Sequence, residues 1–174
     1  DYRQRDLHNM FGYVPQSAVI FSGSVRYNVN YGVDSDERTD DEIWNALRIA
    51  QSEGFVRNMD GGLDARISQH GRNISGGQKQ RIGIARAICK DPLIYIFDDS
   101  FSALDFRTDM ALRSALKEWT KDATVVIVAQ RVGTIMDADC IIVMDEGRIV
   151  GKGTHDELMK SCALYNSIAT AQFS

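Results

Sequence analysis

Two short apolar runs fix most of what this chain can fold into. "LIYIF", Leu93 to Phe97, and "TVVIVA", Thr124 to Ala129, are too short for buried helices and too continuously apolar for strands with one wet face. Each reads as a strand covered on both sides. Between them a helix is expected over residues 105–118, with Leu112, Ala115 and Leu116 along one side. Two buried strands joined by such a helix form a crossover unit, which requires a mainly parallel sheet flanked by helices and places the chain in the α/β class.

The rest of the chain is arranged around that unit. Phe11 to Val14 reads as a short strand that needs neighbours. An acidic turn over residues 34–41 leads into a helix expected at 40–52, where Thr39 and Glu42 have capping-box spacing and Ile43, Leu47 and Ala50 recur at helical intervals. Gly54, Gly61, Gly62 and Gly71 break the stretch after that helix, so residues 17–74 read as a mostly helical subdomain with long loops. Ser75 and Gln78 repeat the capping-box spacing before a helix whose apolar stripe holds Ile82, Ala85 and Cys89. Beyond the second apolar run, a short helix is expected near 131–137. Cys140 to Met144 and Arg148 to Val150 flank an edge-hairpin turn, and helices are expected near 154–160 and 162–169.

Composition narrows the function classes. The 174 residues, 44% apolar and 25% charged, suit one globular domain or a large part of one. A net charge of −4 with scattered basic residues argues against a nucleic-acid backbone or an anionic membrane surface as partner. Cys89, Cys140 and Cys162 are widely separated and stand beside apolar residues, so they read as small buried hydrophobes in a reducing compartment. No apolar run approaches the roughly 18 residues that cross a bilayer, and no signal peptide is recognisable. The abrupt start without an initiator methionine raises the expectation that an upstream part is missing.

Several residues carry candidate chemistry. Asp98 and Asp99 end the first apolar strand, where open α/β sheets place their ligands, and a carboxylate there can hold a hard divalent cation with help from phosphate oxygens. A solvated strand end is the plain alternative. In "NISGGQKQRIGIARA", residues 73–87, Gly76 and Gly77 open a helix with unpaired N–H groups and no side chains in the way, which suits a phosphate. Ser75 capping its own helix competes for the same donors. Lys79, Arg81 and Arg86 can extend the positive field, with Lys79 and Arg86 equally readable as a solvated face. Gln16 and Gln130, each directly after a strand, can orient water or complete a metal's coordination, or can be ordinary turn residues. His8, His70 and His155 lack the spacing of a metal site.

Together these stretches resemble the nucleotide-binding domain of exporter-type ATP-binding cassette (ABC) transporters. "NISGGQKQRIGIARAI" is similar to the family signature and its helix, "LIYIFDD" to the Walker B strand, "SALD" at Ser102 to Asp105 to the D-loop, and "VPQ" with Gln16 to the Q-loop. The tail "DEGRIVGKGTHDELM" fits the same pattern. The resemblance covers essentially the whole chain and implies a P-loop NTPase-type α/β fold with an inserted helical subdomain at 17–74. It further implies ATP and Mg2+ as cofactors. Gln16 and Asp98 would serve the metal, and Asn73, Ser75, Gly76, Gly77, Gln78 and Asp105 would serve nucleotide. In the family two such domains sandwich ATP head to tail, so the Ser75–Gln78 signature would serve the nucleotide held by the partner. The transmembrane domains would be reached through the Q-loop region, at the cytoplasmic face of a membrane, and the transported substrate would touch regions outside this chain.

Departures from the family pattern set further expectations. No G-x-x-x-x-G-K-[ST] string occurs, so the chain is expected to be the C-terminal part of a domain, cut before its N-terminal strands and phosphate loop, and inactive as an isolated fragment. Asp99 stands at the catalytic glutamate position and Gln130 at the switch histidine position, in "VAQRVGTI"; aspartate is shorter by one methylene and glutamine carries no titrating proton. Ile74 replaces the usual leucine, and Gln69 replaces an acidic residue that faces the membrane domain. The pattern resembles the degenerate-site half of a heterodimeric multidrug exporter whose partner supplies glutamate and histidine. The rivals are a non-hydrolytic nucleotide-binding scaffold and the head of a chromosome-maintenance ATPase. Against the second stand the absence of coiled-coil heptads and the exporter-like "FSGSVRYNV".

Overall fold

The computed structural model describes residues 3–33 and 38–173, and the chain divides into two compact units, residues 1–128 and 129–174. The acidic turn expected at 34–41 falls partly outside the described residues. In the first unit, helix α1 (Gln4–Met10) leads into strand β1 (Phe11–Val14), followed by the two-residue strand β2 (Gly23–Ser24) and helix α2 (Val25–Asn30). Helices α3 (Asp40–Ile49) and α4 (Glu53–Arg57), strand β3 (Arg66–Ile67), helix α5 (Gly76–Lys90), strand β4 (Ile94–Asp98), helix α6 (Phe106–Trp119) and strand β5 (Thr124–Val128) complete it.

The crossover predicted from the two apolar runs is present. β4 lies between β1 and β5 and pairs in parallel with both, with Val14 opposite Phe97 and Asp98 opposite Val128. Tyr95 and Phe97 are fully buried, while Ile94 and Ile96 are half-buried. β5 departs from the expectation of two-sided burial: it is one of the two edge strands of this sheet among the described residues, and Val125, Val126 and Val128 are exposed. β1 is an N-terminal strand in place, followed by Gly23–Ser24 and α2. This corrects the expectation that the N-terminal strands and phosphate-loop region are absent. That expectation rests on one consensus string, whereas strand pairing depends on the whole length of β1.

Local signals set the helix starts. Ser24 caps α2, and both expected capping boxes form: Thr39 with Glu42 on α3, and Ser75 with Gln78 on α5. The helical subdomain packs on α5 through Val25, Val29, Ile43 and Leu47, all buried with Ile82, Ile84 and Ile88. β2 and β3 form a minimal antiparallel pair within it.

The second unit comprises α7 (Val132–Ile135), the antiparallel hairpin β6 (Ile141–Asp145) and β7 (Arg148–Gly153), α8 (His155–Ser161) and α9 (Ala163–Phe173). Glu146 and Gly147, with φ of 43° and 76°, make the tight turn, since a two-residue hairpin loop needs left-handed backbone at both positions. Val132, Ile141, Leu158, Tyr165 and Ala169 form its core. Cys89 and Cys162 are buried as expected, whereas Cys140 is exposed. Burial pushes the Cys89 thiol up to about 11, so it stays protonated at neutral pH.

Candidate functional site

The register of β1 on β4 builds the site. Because Val14 stands beside Phe97, the residues that leave the two strands, Pro15–Gln16 and Asp98–Asp99, emerge next to each other at the carboxyl edge of a parallel sheet. There Gln16 Nε2 donates to Asp99 Oδ2 at 3.0 Å, and Tyr13 OH donates to Asp98 Oδ2 at 3.0 Å. The second bond pushes the Tyr13 phenol above its ordinary pKa, because it favours the protonated form beside a carboxylate. The buried Ser100 hydroxyl donates to Val14 O at 2.7 Å and ties the two chain exits together.

Asp99 sits in the left-handed region at φ 45°, a conformation that aspartate tolerates better than most residues. Its N–H donates to Val128 O at 2.8 Å, and its carbonyl accepts from Ser102 Oγ at 2.8 Å, so neighbouring elements fix its backbone. The turn after it ends at Asp105, the cap of α6, which accepts from Thr108 N at 2.9 Å. Those bonds hold the Asp105 carboxyl below the usual range. A pKa lowered by folding contributes stability above the ordinary aspartate range and loses it as pH falls through the lowered value. Thermal unfolding of Asp105→Asn is therefore expected to lose less stability on the acid side than the native chain; parallel pH profiles would show that the charge contributes nothing.

The signature residues lie against this turn. A Cβ on Gly77 would stand 3.4 Å from Ala103 O, whereas one on Gly76 would meet nothing within 4 Å. The α5 N-terminus is thus packed on one side and open on the other. Ser75 Oγ accepts from Gln78 N, and Gln78 Oε1 accepts from Ser75 N at 2.8 Å. Asn73 is engaged in the loop, accepting from Ser68 N at 2.9 Å and donating to Arg66 O at 2.9 Å. Arg86 is no solvated face: it donates to Asn28 O at 2.7 Å and Val19 O at 2.9 Å, and its guanidinium lies over Phe21 and Tyr31. Carbonyls and ring faces are a sufficient counterpart for a half-buried guanidinium.

Of the candidate residues, Gln16, Asp98 and Asp99 come together. Gln130 belongs to the second unit, where its carbonyl accepts from Gln172 Nε2 at 2.8 Å. Sequence reasoning missed Tyr13, Ser100 and Gln80, whose side chains act across more than 60 residues. The oxygen donors of Gln16 and Asp98 suit a magnesium ion held mainly by phosphates and water, and among the described residues there is no group of three or more His, Cys, Asp and Glu that could hold a metal ion.

A sequence model described as ABC transporter matches residues 1–102, more than half of the chain. The chain belongs to the ABC transporter family. The ABC chain is 44% identical over 173 residues to an uncharacterised ABC transporter ATP-binding protein of Mycobacterium tuberculosis, covering 99% of this chain and 29% of that protein. It is 40% identical over 173 residues to an ATP-dependent lipid A-core flippase of Aliivibrio fischeri, covering 99% of this chain and 30% of the flippase. The solved structure of a bacterial Atm1-family ABC exporter with ATP bound matches with a TM-score of 0.92 and 34% identity, over 98% of this chain and 30% of that one. The ABC chain therefore spans about three-tenths of the length of the relatives it matches.

The family match begins at residue 1. It overturns, together with β1 and the segment after it, the expectation of a chain truncated before its phosphate loop and inactive for that reason. Neither the missing consensus string nor the position of the first residue is a statement about the folded domain. No described helix of the ABC chain is long and apolar enough to cross a membrane.

Proposed function

We propose that this chain forms part of the nucleotide-binding domain of an ABC exporter, binding ATP with Mg2+ and coupling its hydrolysis to movement of a substrate across a membrane. The observation that carries the reading is the Gln16–Asp99 hydrogen bond at the carboxyl edge of the parallel sheet. It joins an amide that can respond to a metal with a carboxylate that can accept a proton from water. Asp98, Gln16 and the phosphates would hold the metal. Held there, a magnesium ion would supply neutralisation of the phosphate charge. Asp98 is held in place by Tyr13, Asp99 by its bonds to Val128, Ser102 and Gln16. The partners in this reading are a second nucleotide-binding domain and the transmembrane domains, the latter met through the Q-loop region at the cytoplasmic face. The similarity to an ATP-dependent lipid A-core flippase and to an ATP-bound Atm1-family exporter supports ATP and export together.

The finer proposal is asymmetry. Asp99 places its carboxylate one methylene short of a glutamate's, and misplacement on this scale costs roughly a hundredfold in rate. Gln130 can hydrogen-bond a phosphate but cannot carry its proton. The composite site that uses Asp99 is weak, whereas Asn73, Ser75, Gly76, Gly77 and Gln78 complete the partner's stronger site, and Asp105 positions the D-loop beside them. In the assembled transporter, Asp99→Glu with Gln130→His is expected to raise turnover at the weak site about tenfold, and Asp99→Asn to change total ATPase by less than about twofold. A hundredfold fall in Asp99→Asn with nucleotide binding intact would make Asp99 the principal base and end the asymmetric reading. Nucleotide binding with no magnesium-dependent turnover in any of these variants would favour a non-hydrolytic scaffold.

A further inference from the structure

Gln80 is polar and 2% exposed, and it touches neither the carboxylates at the sheet edge nor the open helix terminus. It lies on α5, one turn after the N-terminus at Ser75–Gly77. Its side-chain amide closes on the segment after β1: Nε2 donates to Pro15 O at 2.9 Å and Oε1 accepts from Ala18 N at 3.1 Å. The two bonds bracket Gln16 and Ser17 and use both halves of the amide. No other side-chain type of that length offers one donor and one acceptor in fixed opposition.

The same face of α5 repeats the contact further along. A Cβ on Gly83 would stand 2.9 Å from Ala18 Cβ, so only glycine lets the helix come this close without displacement. Arg86 then fixes Val19 O and Asn28. Positions 80, 83 and 86 lie three residues apart and form one strip of a helix. That strip seats residues 15–19 as a unit, and Gln80 sits at its end nearest the signature.

We propose that Gln80 is a positioning residue which, by clamping Pro15 and Ala18, presents Gln16 to Asp99 and links that site rigidly to the Ser75 terminus of the same helix. The link has a functional consequence. The Ser75 terminus serves one composite site and Gln16 the other, so a shift of α5 at one site displaces the metal-sensing amide of the other. Without Gln80 the loop carrying Gln16 keeps the Asp99 bond and the Gly83 and Arg86 contacts further along α5, but loses the two bonds that bracket Gln16 itself. This inference rests on the reading of Gln16 as a metal-site residue, and the test separates the two.

In the assembled transporter, Gln80→Met keeps the side-chain length and removes both polar bonds, while Gln80→Glu retains the acceptor for Ala18 N and guards against a failure of the first variant to fold. Two readouts are needed: the magnesium concentration for half-maximal ATPase, and amide hydrogen exchange over residues 15–18 by mass spectrometry. Gln80→Met is expected to raise the magnesium requirement about tenfold and accelerate exchange over 15–18 about tenfold, with Gln80→Glu between it and the native protein. Gln16→Ala is expected to raise the magnesium requirement by a similar factor, and adding Gln80→Met to it to raise it no further, because a residue acting only through another is not additive with it. A lowered Tm with unchanged magnesium dependence and unchanged exchange would leave Gln80 a packing residue and overturn the inference. A fully additive double variant would overturn it as well. If Gln16→Ala leaves the magnesium requirement unaltered while Gln80→Met still accelerates exchange, the clamp stands and the metal role of Gln16 falls.

Discussion

Gly77→Asp is expected to lower the steady-state ATPase of the assembled transporter by about a hundredfold to a thousandfold while leaving the domain folded. A helix N-terminus stabilises a transferring phosphoryl group through N–H donors already aimed at it, and a carboxylate placed among them repels the charge they should attract. The fold tolerates the change for three reasons. A Cβ at Gly77 meets Ala103 O only at ordinary contact distance. The cap from Ser75 and Gln78 does not involve the Gly77 side. An acidic residue in the first turn favours a helix rather than opposing it. Circular dichroism and thermal unfolding are therefore expected to match the native domain. If the two sites are asymmetric as proposed, the same substitution at the partner's matching glycine is expected to do far less damage, since that signature would close the weaker site of Asp99. Equal losses from the two substitutions would show equivalent sites, and full activity in Gly77→Asp would remove this helix terminus from the mechanism.

Phe97→Ala is expected to destabilise the first unit by about 3–5 kcal/mol. The ring is 1% exposed at the centre of the parallel sheet, with the rings of Tyr95 and Phe101 at 6.1 Å and 5.2 Å. Its ring neighbours belong to β4 itself and to the turn after it, and Val14 and Ile127 flank it on the adjoining strands, so closing the cavity would move the strand exit that carries Asp98 and Asp99. Both tryptophans, Trp44 and Trp119, lie in the first unit, and their fluorescence in urea reports its unfolding separately from the second. The expected result is a lower midpoint with an unchanged slope. A change below about 1 kcal/mol would mean that the sheet collapses around the missing ring, and that β4 does not depend on Phe97 to aim its two carboxylates.

Part of this architecture is legible in the residues themselves. The capping boxes at Thr39–Glu42 and Ser75–Gln78, the hairpin turn at Glu146–Gly147 and the β4–α6–β5 crossover all form where the sequence places them. Each depends on groups within a few residues of one another or on a short apolar run, and such signals survive without knowledge of the fold. Helix ends are less secure: α3 stops at Ile49 and not at 52, because Gln51 takes a left-handed backbone at φ 57°. The short helices α1, α2 and α4 carry too few turns for an apolar period to be read.

The site divides along the same line. Sequence alone marks Asp98 and Asp99 as a strand-end pair and Gly76–Gly77 as an open helix start, since both depend only on what lies beside them in the chain. Which groups those residues meet is decided by tertiary structure. The pairing of Val14 with Phe97 brings Gln16 to Asp99 across 83 residues and Tyr13 to Asp98 across 85. The seating of α5 against the segment after β1 encloses Gln80 and makes Arg86 a structural anchor instead of a surface charge. An amide or guanidinium has the same propensity in either setting. Only the long-range register, fixed by burial of whole strand and helix faces, determines whether it faces water or closes a loop.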